Sequence, residues 1–117
     1  MSMPLQKLVT VKIAEELKHY PLRSTDGVNA SSVLLKFSCN NHKWYVLEAE
    51  QGENGDFKFF GLIDGLEREL GYFTLSQLQH IQEQMGIIIE RDIHFKGFVV
   101  DKTKREVRKV RCSYHAR

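Results

Sequence analysis

Cysteine is scarce: Cys39 and Cys112 are the only two in 117 residues. That is too few for the disulfide framework of a small secreted fold, and each reads as a free thiol in a reducing compartment. No apolar run approaches the roughly eighteen residues that a membrane helix needs. The start, MSMPLQKL, lacks the apolar centre of a secretory signal. A cytoplasmic chain without membrane contact is therefore expected. Internal repeats, low-complexity tracts and interdomain linkers are also missing, so one domain over residues 1–100 is expected, followed by an extension over 101–117.

The usual chemical motifs are missing as well. His19, His42, His80, His94 and His115 are scattered, with no pair four apart on a helix and no HExxH pattern. Cys39-x-x-His42 and Cys112-x-x-His115 give the ligand count of a zinc site at opposite ends of the chain. Zinc fingers, however, pair cysteine with cysteine. Neither cysteine lies on a recognisable nucleophile elbow. Gly52-x-x-Gly55 and Gly61-x-x-x-Gly65 lack the lysine and the strand–helix context of a phosphate loop, and read as turns. No catalytic residue, metal set or cofactor follows from any motif.

What is present centres on Phe59 to Met85, FFGLIDGLERELGYFTLSQLQHIQEQM. Phe57 to Ile63 is apolar on both faces, as a central strand is. Asp64-Gly65 is a two-residue turn signal, and alternation from Leu66 to Phe73 predicts the return strand. Gly71 inside that strand implies a bulge or a close approach of another backbone. Thr74 and Gln77 have capping-box spacing. Leu75, Leu78, Ile81 and Met85 form a helical stripe, and Gly86 ends it.

The rest of the chain extends this pattern. Thr10 caps a short helix reaching about Tyr20, with Val11, Ala14 and Leu17 facing inward and Pro21 stopping it. Residues 22–32 read as a loop. Strands are predicted at 33–38 and 44–50, the second with Trp44, Val46 and Glu48 on one side and Tyr45, Leu47 and Ala49 on the other. A fifth strand is predicted from Ile87 to Phe95. The expected fold is α+β: an antiparallel meander of about five strands, two helices packed on it, and a basic C-terminal extension. In that extension Val107 and Val110 are the apolar anchors, which allow either a single docked helical turn or a flexible tail, and partial order is expected.

The net charge of +2 hides an asymmetry. Residues 1–100 carry 10 Lys/Arg against 13 Asp/Glu, a balance of −3, whereas residues 101–117 carry 7 against 2, a balance of +5. Three groups of candidate residues follow. Asp64, Glu67, Glu69, Glu90 and Asp92 would share one acidic surface if their strands were neighbours, and would then suit a hard metal ion or acid–base hydrolysis. The simpler reading is a solvated face neutralised by Arg68, Arg91 and the folded-back extension. Lys102, Lys104, Arg105, Arg108, Lys109 and Arg111 would contact phosphates, with Tyr114 placed to stack on a base. Among the strand aromatics, Trp44, Phe60 and Tyr72 would form an interaction patch. The leading expectation is a non-enzymatic module that binds a protein partner or itself. A nucleic-acid accessory protein using the extension is the alternative, and a carboxylate hydrolase the third reading.

Tyr20-Pro21-Leu22, Ser24-Thr25, Lys36-Phe37, Trp44-Tyr45, the segment Gly65-x-Glu67-x-Glu69-x-Gly71-Tyr72-Phe73-Thr74-Leu75 and Glu90-Arg91-Asp92 carry a family resemblance. Over about residues 10–97 the chain resembles a small bacterial domain-of-unknown-function family common on plasmids, conjugative elements and prophages. The resemblance implies a mobile-element setting, in which a regulator or anti-defence inhibitor is at home. It implies no catalytic residue, and residues 98–117 lie beyond it.

Overall fold

Short polar turns send each apolar strand back along its predecessor, and the meander predicted from them is present. The computed structural model describes residues 8–92 and 95–110. In chain order these form α1 (Val11–Leu17), β1 (Ala30–Ser32), β2 (Leu35–Cys39), β3 (His42–Gln51), β4 (Phe57–Asp64), β5 (Arg68–Thr74), α2 (Leu75–Met85), β6 (Glu90–Arg91), β7 (Phe98–Asp101) and β8 (Glu106–Lys109). A five-stranded antiparallel sheet has the order β5-β4-β3-β2-β6, and a three-stranded antiparallel sheet has the order β1-β7-β8. The fold is α+β.

The register assigns the two faces of the larger sheet. Ala49, Phe59 and Phe73 lie side by side across β3, β4 and β5, as do Phe37, Trp44 and Ile63 across β2, β3 and β4. These residues join Leu17 of α1 and Leu75 and Leu78 of α2 in the main core. On the opposite face Lys36, Tyr45, Leu62 and Leu70 form a row across β2, β3, β4 and β5. There Tyr45, Leu47 and Leu62 pack with Val33 and Val100, and with Phe98 and Val107 of the small sheet. The helices thus cover one face, and the small sheet covers much of the other.

α2 has the predicted boundaries. The Thr74 hydroxyl accepts from the Gln77 amide at 3.0 Å, the Gln77 side chain accepts from the Thr74 amide at 2.9 Å, and Gly86 ends the helix at φ 64°. α1 is shorter than expected, and Val11, assigned to its inner stripe, is 79% exposed; Leu17 carries the packing. Leu66 belongs to the β4–β5 turn rather than to the strand and is wholly exposed.

The extension departs most from expectation. Val107 lies in a strand, not in a helical turn, and pairs with Val100 at the centre of the β7–β8 hairpin. The loop predicted over residues 22–32 contains β1, which pairs with β7. Both errors have one cause: strands of three or four residues are too short to display a period, and only their pairing partners reveal them.

The alternation predicted for β3 breaks at a bulge between Val46 and Glu48. Leu47 and Glu48 both turn toward the small sheet, while Ala49 rejoins Trp44 and Val46 in the main core. Gly61, opposite the bulge, is the glycine that the sheet requires. A methyl group there would overlap the Tyr45 carbonyl oxygen, whereas one at Gly71 would meet only the Ile63 Cδ1 at 4.0 Å. The close approach expected at Gly71 therefore lies at Gly61, with no bulge in β5.

Candidate functional site: a cationic and aromatic face

The β3 bulge aims a carboxylate inward, and a loop is built on it. Glu48 is 2% exposed. Its carboxylate accepts hydrogen bonds from the backbone amides of Arg23 at 2.6 Å and Thr25 at 2.8 Å, and from the Thr25 hydroxyl. A buried carboxylate is tolerated when its oxygens are filled by donors, and here the loop supplies them. Arg23 adopts a left-handed φ of 76° to bring these amides round. Its guanidinium points outward onto Asp26 at 3.0 Å, and that bond with the carboxylate's charge raises the Arg23 pKa.

Thr25 links the loop to the basic hairpin. Lys102 Nζ donates to both the Thr25 carbonyl and the Thr25 hydroxyl at 2.8 Å. One loop residue away from β1, Asn29 joins the same pair of segments: its side-chain oxygen accepts from the Thr103 amide at 2.8 Å, and its amide group donates to Asp101 at 2.9 Å. The Lys104 amide donates to Asp101 at 3.1 Å, and these bonds hold the Asp101 pKa below its ordinary value. Farther along the turn, Arg105 donates to the Arg68 carbonyl at the start of β5. The β7–β8 turn is thereby fixed beside the outer strands of the larger sheet.

This arrangement sets cations around two aromatic rings. Phe60 and Tyr72 are cross-strand partners with ring centroids 5.2 Å apart and planes tilted by 54°. Lys102 Nζ stands 5.9 Å from the Phe60 centroid and Lys58 Nζ 5.0 Å from that of Tyr72. Two of the three Lys102 donors go to Thr25, which leaves one uncommitted among the described residues. Tyr72 is 54% exposed, so this corner of the sheet is left open by the hairpin beside it.

The predicted site residues separate into those the fold unites and those it disperses. Phe60, Tyr72 and Lys102 come together, while Lys104, Arg105, Arg108 and Lys109 are exposed on the adjoining hairpin. Trp44 does not join them. It is 6% exposed and packs in the main core, so its place in an interaction patch is corrected. The proposed acidic surface is also corrected, because β5 and β6 occupy opposite edges of the sheet with three strands between them. Asp64 pairs with Arg68 at 3.4 Å, and Asp92 with Lys36 at 2.9 Å. Glu67 and Glu69 remain at the β5 end and Glu90 at the other edge, and among the described residues no three His, Cys, Asp or Glu side chains are grouped to hold a metal ion. Cys39 and His42 are cross-strand partners, whereas Cys112 and His115, like Arg111 and Tyr114, lie outside the described residues.

The sequence pattern does not single out Lys58, Arg23 or Thr25 for this face. Lys58 alternates with core phenylalanines and reads as an ordinary exposed strand residue. Arg23 and Thr25 sit in a loop whose purpose appears only once Glu48 turns toward them. The sequence signal for this arrangement is Glu48 itself, a carboxylate in the apolar run YVLEA.

A family model described as "Protein of unknown function (DUF2958)" matches residues 8–100. The chain belongs to this family. No curated protein and no solved structure matches it. Among the described residues, no helix is long and apolar enough to cross a membrane.

Proposed function

We propose that this member of the DUF2958 family is a non-enzymatic nucleic-acid-binding accessory protein. The observation that carries this reading is the position of Lys102, which belongs to the basic hairpin and yet stands over the Phe60 ring beside Tyr72. Aromatics and cations read separately from the sequence meet on one face. Phosphates would be met by Lys58, Lys102, Lys104 and Arg108, and residues 101–110 of the hairpin carry five Lys/Arg against two Asp/Glu. The dispersal of the five candidate acids supports a non-enzymatic role and removes the basis for a carboxylate hydrolase. A cytoplasmic, mobile-element-borne accessory factor is consistent with this chemistry. Fluorescence anisotropy of labelled oligonucleotides, titrated with the full chain at several salt concentrations, tests the reading. Binding that weakens as salt rises and is reduced by Lys58→Glu or Lys104→Glu supports it; no binding at low salt rejects it.

A second reading, as a protein-interaction module, is favoured by a different surface. Met85 and Ile88 flank the α2 cap at Gly86 and are 69% and 68% exposed. Two large apolar side chains at one helix end suit a protein partner or self-association. Sedimentation velocity of the Met85→Ser/Ile88→Ser variant beside the native chain tests self-association: an unchanged native monomer at all concentrations removes it.

A further inference from the structure

Resting on the nucleic-acid reading, we infer that the ligand of this face is single-stranded, with an unpaired base stacked on Tyr72. Three features of the face lead there. First, the most exposed aromatic of the site projects from the open face of a sheet beside its Phe60 partner, which restricts the ring without covering it. A ring so held presents a π-surface at little entropic cost, and every base has a π-face to offer it. Bases inside a duplex are already stacked on their neighbours and present only edges in the grooves. Tyr72 therefore has a natural counterpart in an unpaired strand and none in a continuous helix.

Second, the cations sit at the rim of the platform. Lys58 lies on the Tyr72 ring from β4, two residues along the strand from Phe60, and Lys102 approaches Phe60 from the hairpin. A backbone passing across the ring would run between these two ammonium groups with its phosphates toward them. Third, the energies order the competition for the ring. An exposed cation–π contact such as Lys58 on Tyr72 is weaker than the stack of a base on an aromatic ring. A stacking base displaces Lys58, whose flexible stem then carries the ammonium to a neighbouring phosphate. The contact seen in the free protein thus marks the position that the base takes over.

The test compares a fluorescein-labelled oligo-dT of about 16 nucleotides, long enough for one such platform, with its duplex on oligo-dA. Both are titrated at one salt concentration with native protein, Tyr72→Ala, Tyr72→Phe and Lys104→Glu. The expected result is tighter binding of the single strand. Tyr72→Ala should weaken it by about 5- to 150-fold, Tyr72→Phe should retain it, and neither should change the residual duplex binding. Lys104→Glu should weaken both ligands together. Equal affinity for single strand and duplex, or a Tyr72→Ala variant that binds the single strand as well as native protein does, overturns the single-strand inference while nucleic-acid binding stands. Absence of binding to either ligand overturns the nucleic-acid reading itself, and the inference with it.

Discussion

The Glu48 carboxylate accepts a hydrogen bond from the Arg23 amide at 2.6 Å, which ties the loop before β1 to the bulge in β3. The same carboxylate takes the Thr25 amide and hydroxyl, so one buried side chain sets the loop against which Lys102 is positioned. The candidate face therefore depends on a residue that does not belong to it.

Replacing Glu48 tests that dependence. Glu48→Gln keeps the shape but turns an amide NH2 toward donors, and loses charge-assisted bonds worth about 1.5–3 kcal/mol. The urea midpoint of the variant should fall by a corresponding amount with an unchanged slope. Amide exchange should rise first at Arg23 and Thr25. A midpoint equal to that of the native chain would show that the loop is held by other contacts.

Lys36 and Asp92 provide a second case. Their ion pair, at 2.9 Å, has side chains only 9% and 22% exposed, and the Lys36 ammonium lies 5.5 Å from the Tyr45 ring centre and 5.8 Å from that of Phe98. It joins the end of β6 to the interface between the sheets. Burial raises the pKa of that Tyr45 phenol, with nearby Asp64 reinforcing the effect. Removing one partner strands the other charge, so Asp92→Ala should cost about 3 kcal/mol, and Lys36→Met combined with Asp92→Leu should recover part of it. Thermal denaturation of the three variants measures both effects.

Gly61 and Gly71 face each other across β4 and β5, yet substitution should separate them. Gly61→Ala drives a methyl into the Tyr45 carbonyl, where backbone has no rotamer by which to yield. It should destabilise by well over about 2 kcal/mol or prevent folding. Gly71→Ala meets only the Ile63 Cδ1 at 4.0 Å and should be neutral, or stabilising by up to about 1 kcal/mol. Soluble yield and melting temperature of the pair decide the matter.

Legibility followed the length of the elements. The β4–β5 hairpin, the capped α2 and the main meander each span enough residues for period and turn chemistry to agree, and their positions were predictable. β1, β7 and β8 were not, because each is defined by a partner about ten or seventy residues away rather than by its own pattern. The acidic surface failed for the same reason. Same-face acids on two strands say nothing about sheet order, and β6 adds to β2 instead of to β5. The cationic and aromatic face is half legible: Phe60, Tyr72 and Lys102 are each candidates from the sequence, but their meeting depends on the hairpin folding back.

Asp101 gives the hairpin a pH dependence. Bonds from the Lys104 amide and the Asn29 side chain lower its pKa below the ordinary 3.8. A carboxylate with a depressed folded pKa contributes stability that is complete above its unfolded value and is lost as pH falls from there through the folded value. Acidification below about pH 3.8 should therefore loosen the β7–β8 turn. In Asp101→Asn that part of the acid response should disappear, as read by amide exchange at Lys104. A variant with the native acid profile at that amide would remove Asp101 as the cause.

Deleting residues 102–117 tests how far the hairpin belongs to the body. From the sequence, the meander and its helices hold nearly all the strong apolar periodicity, which predicts that a chain lacking residues 101–117 keeps its body folded. The structure adds a cost. Val107 pairs with Val100 and packs with it over Leu62 and Tyr45, so removing β8 opens the smaller core and leaves β7 paired only to the three residues of β1. The main core, between the helices and the larger sheet, keeps all its residues. The truncated chain should still unfold cooperatively, but at a clearly lower urea midpoint and with fluorescent-dye binding to the uncovered apolar face. Val107→Ala, which deletes two methyl groups from the same place, should cost about 1 kcal/mol and move the midpoint the same way. If the truncation melts with the native midpoint, the hairpin is carried by the body without supporting it.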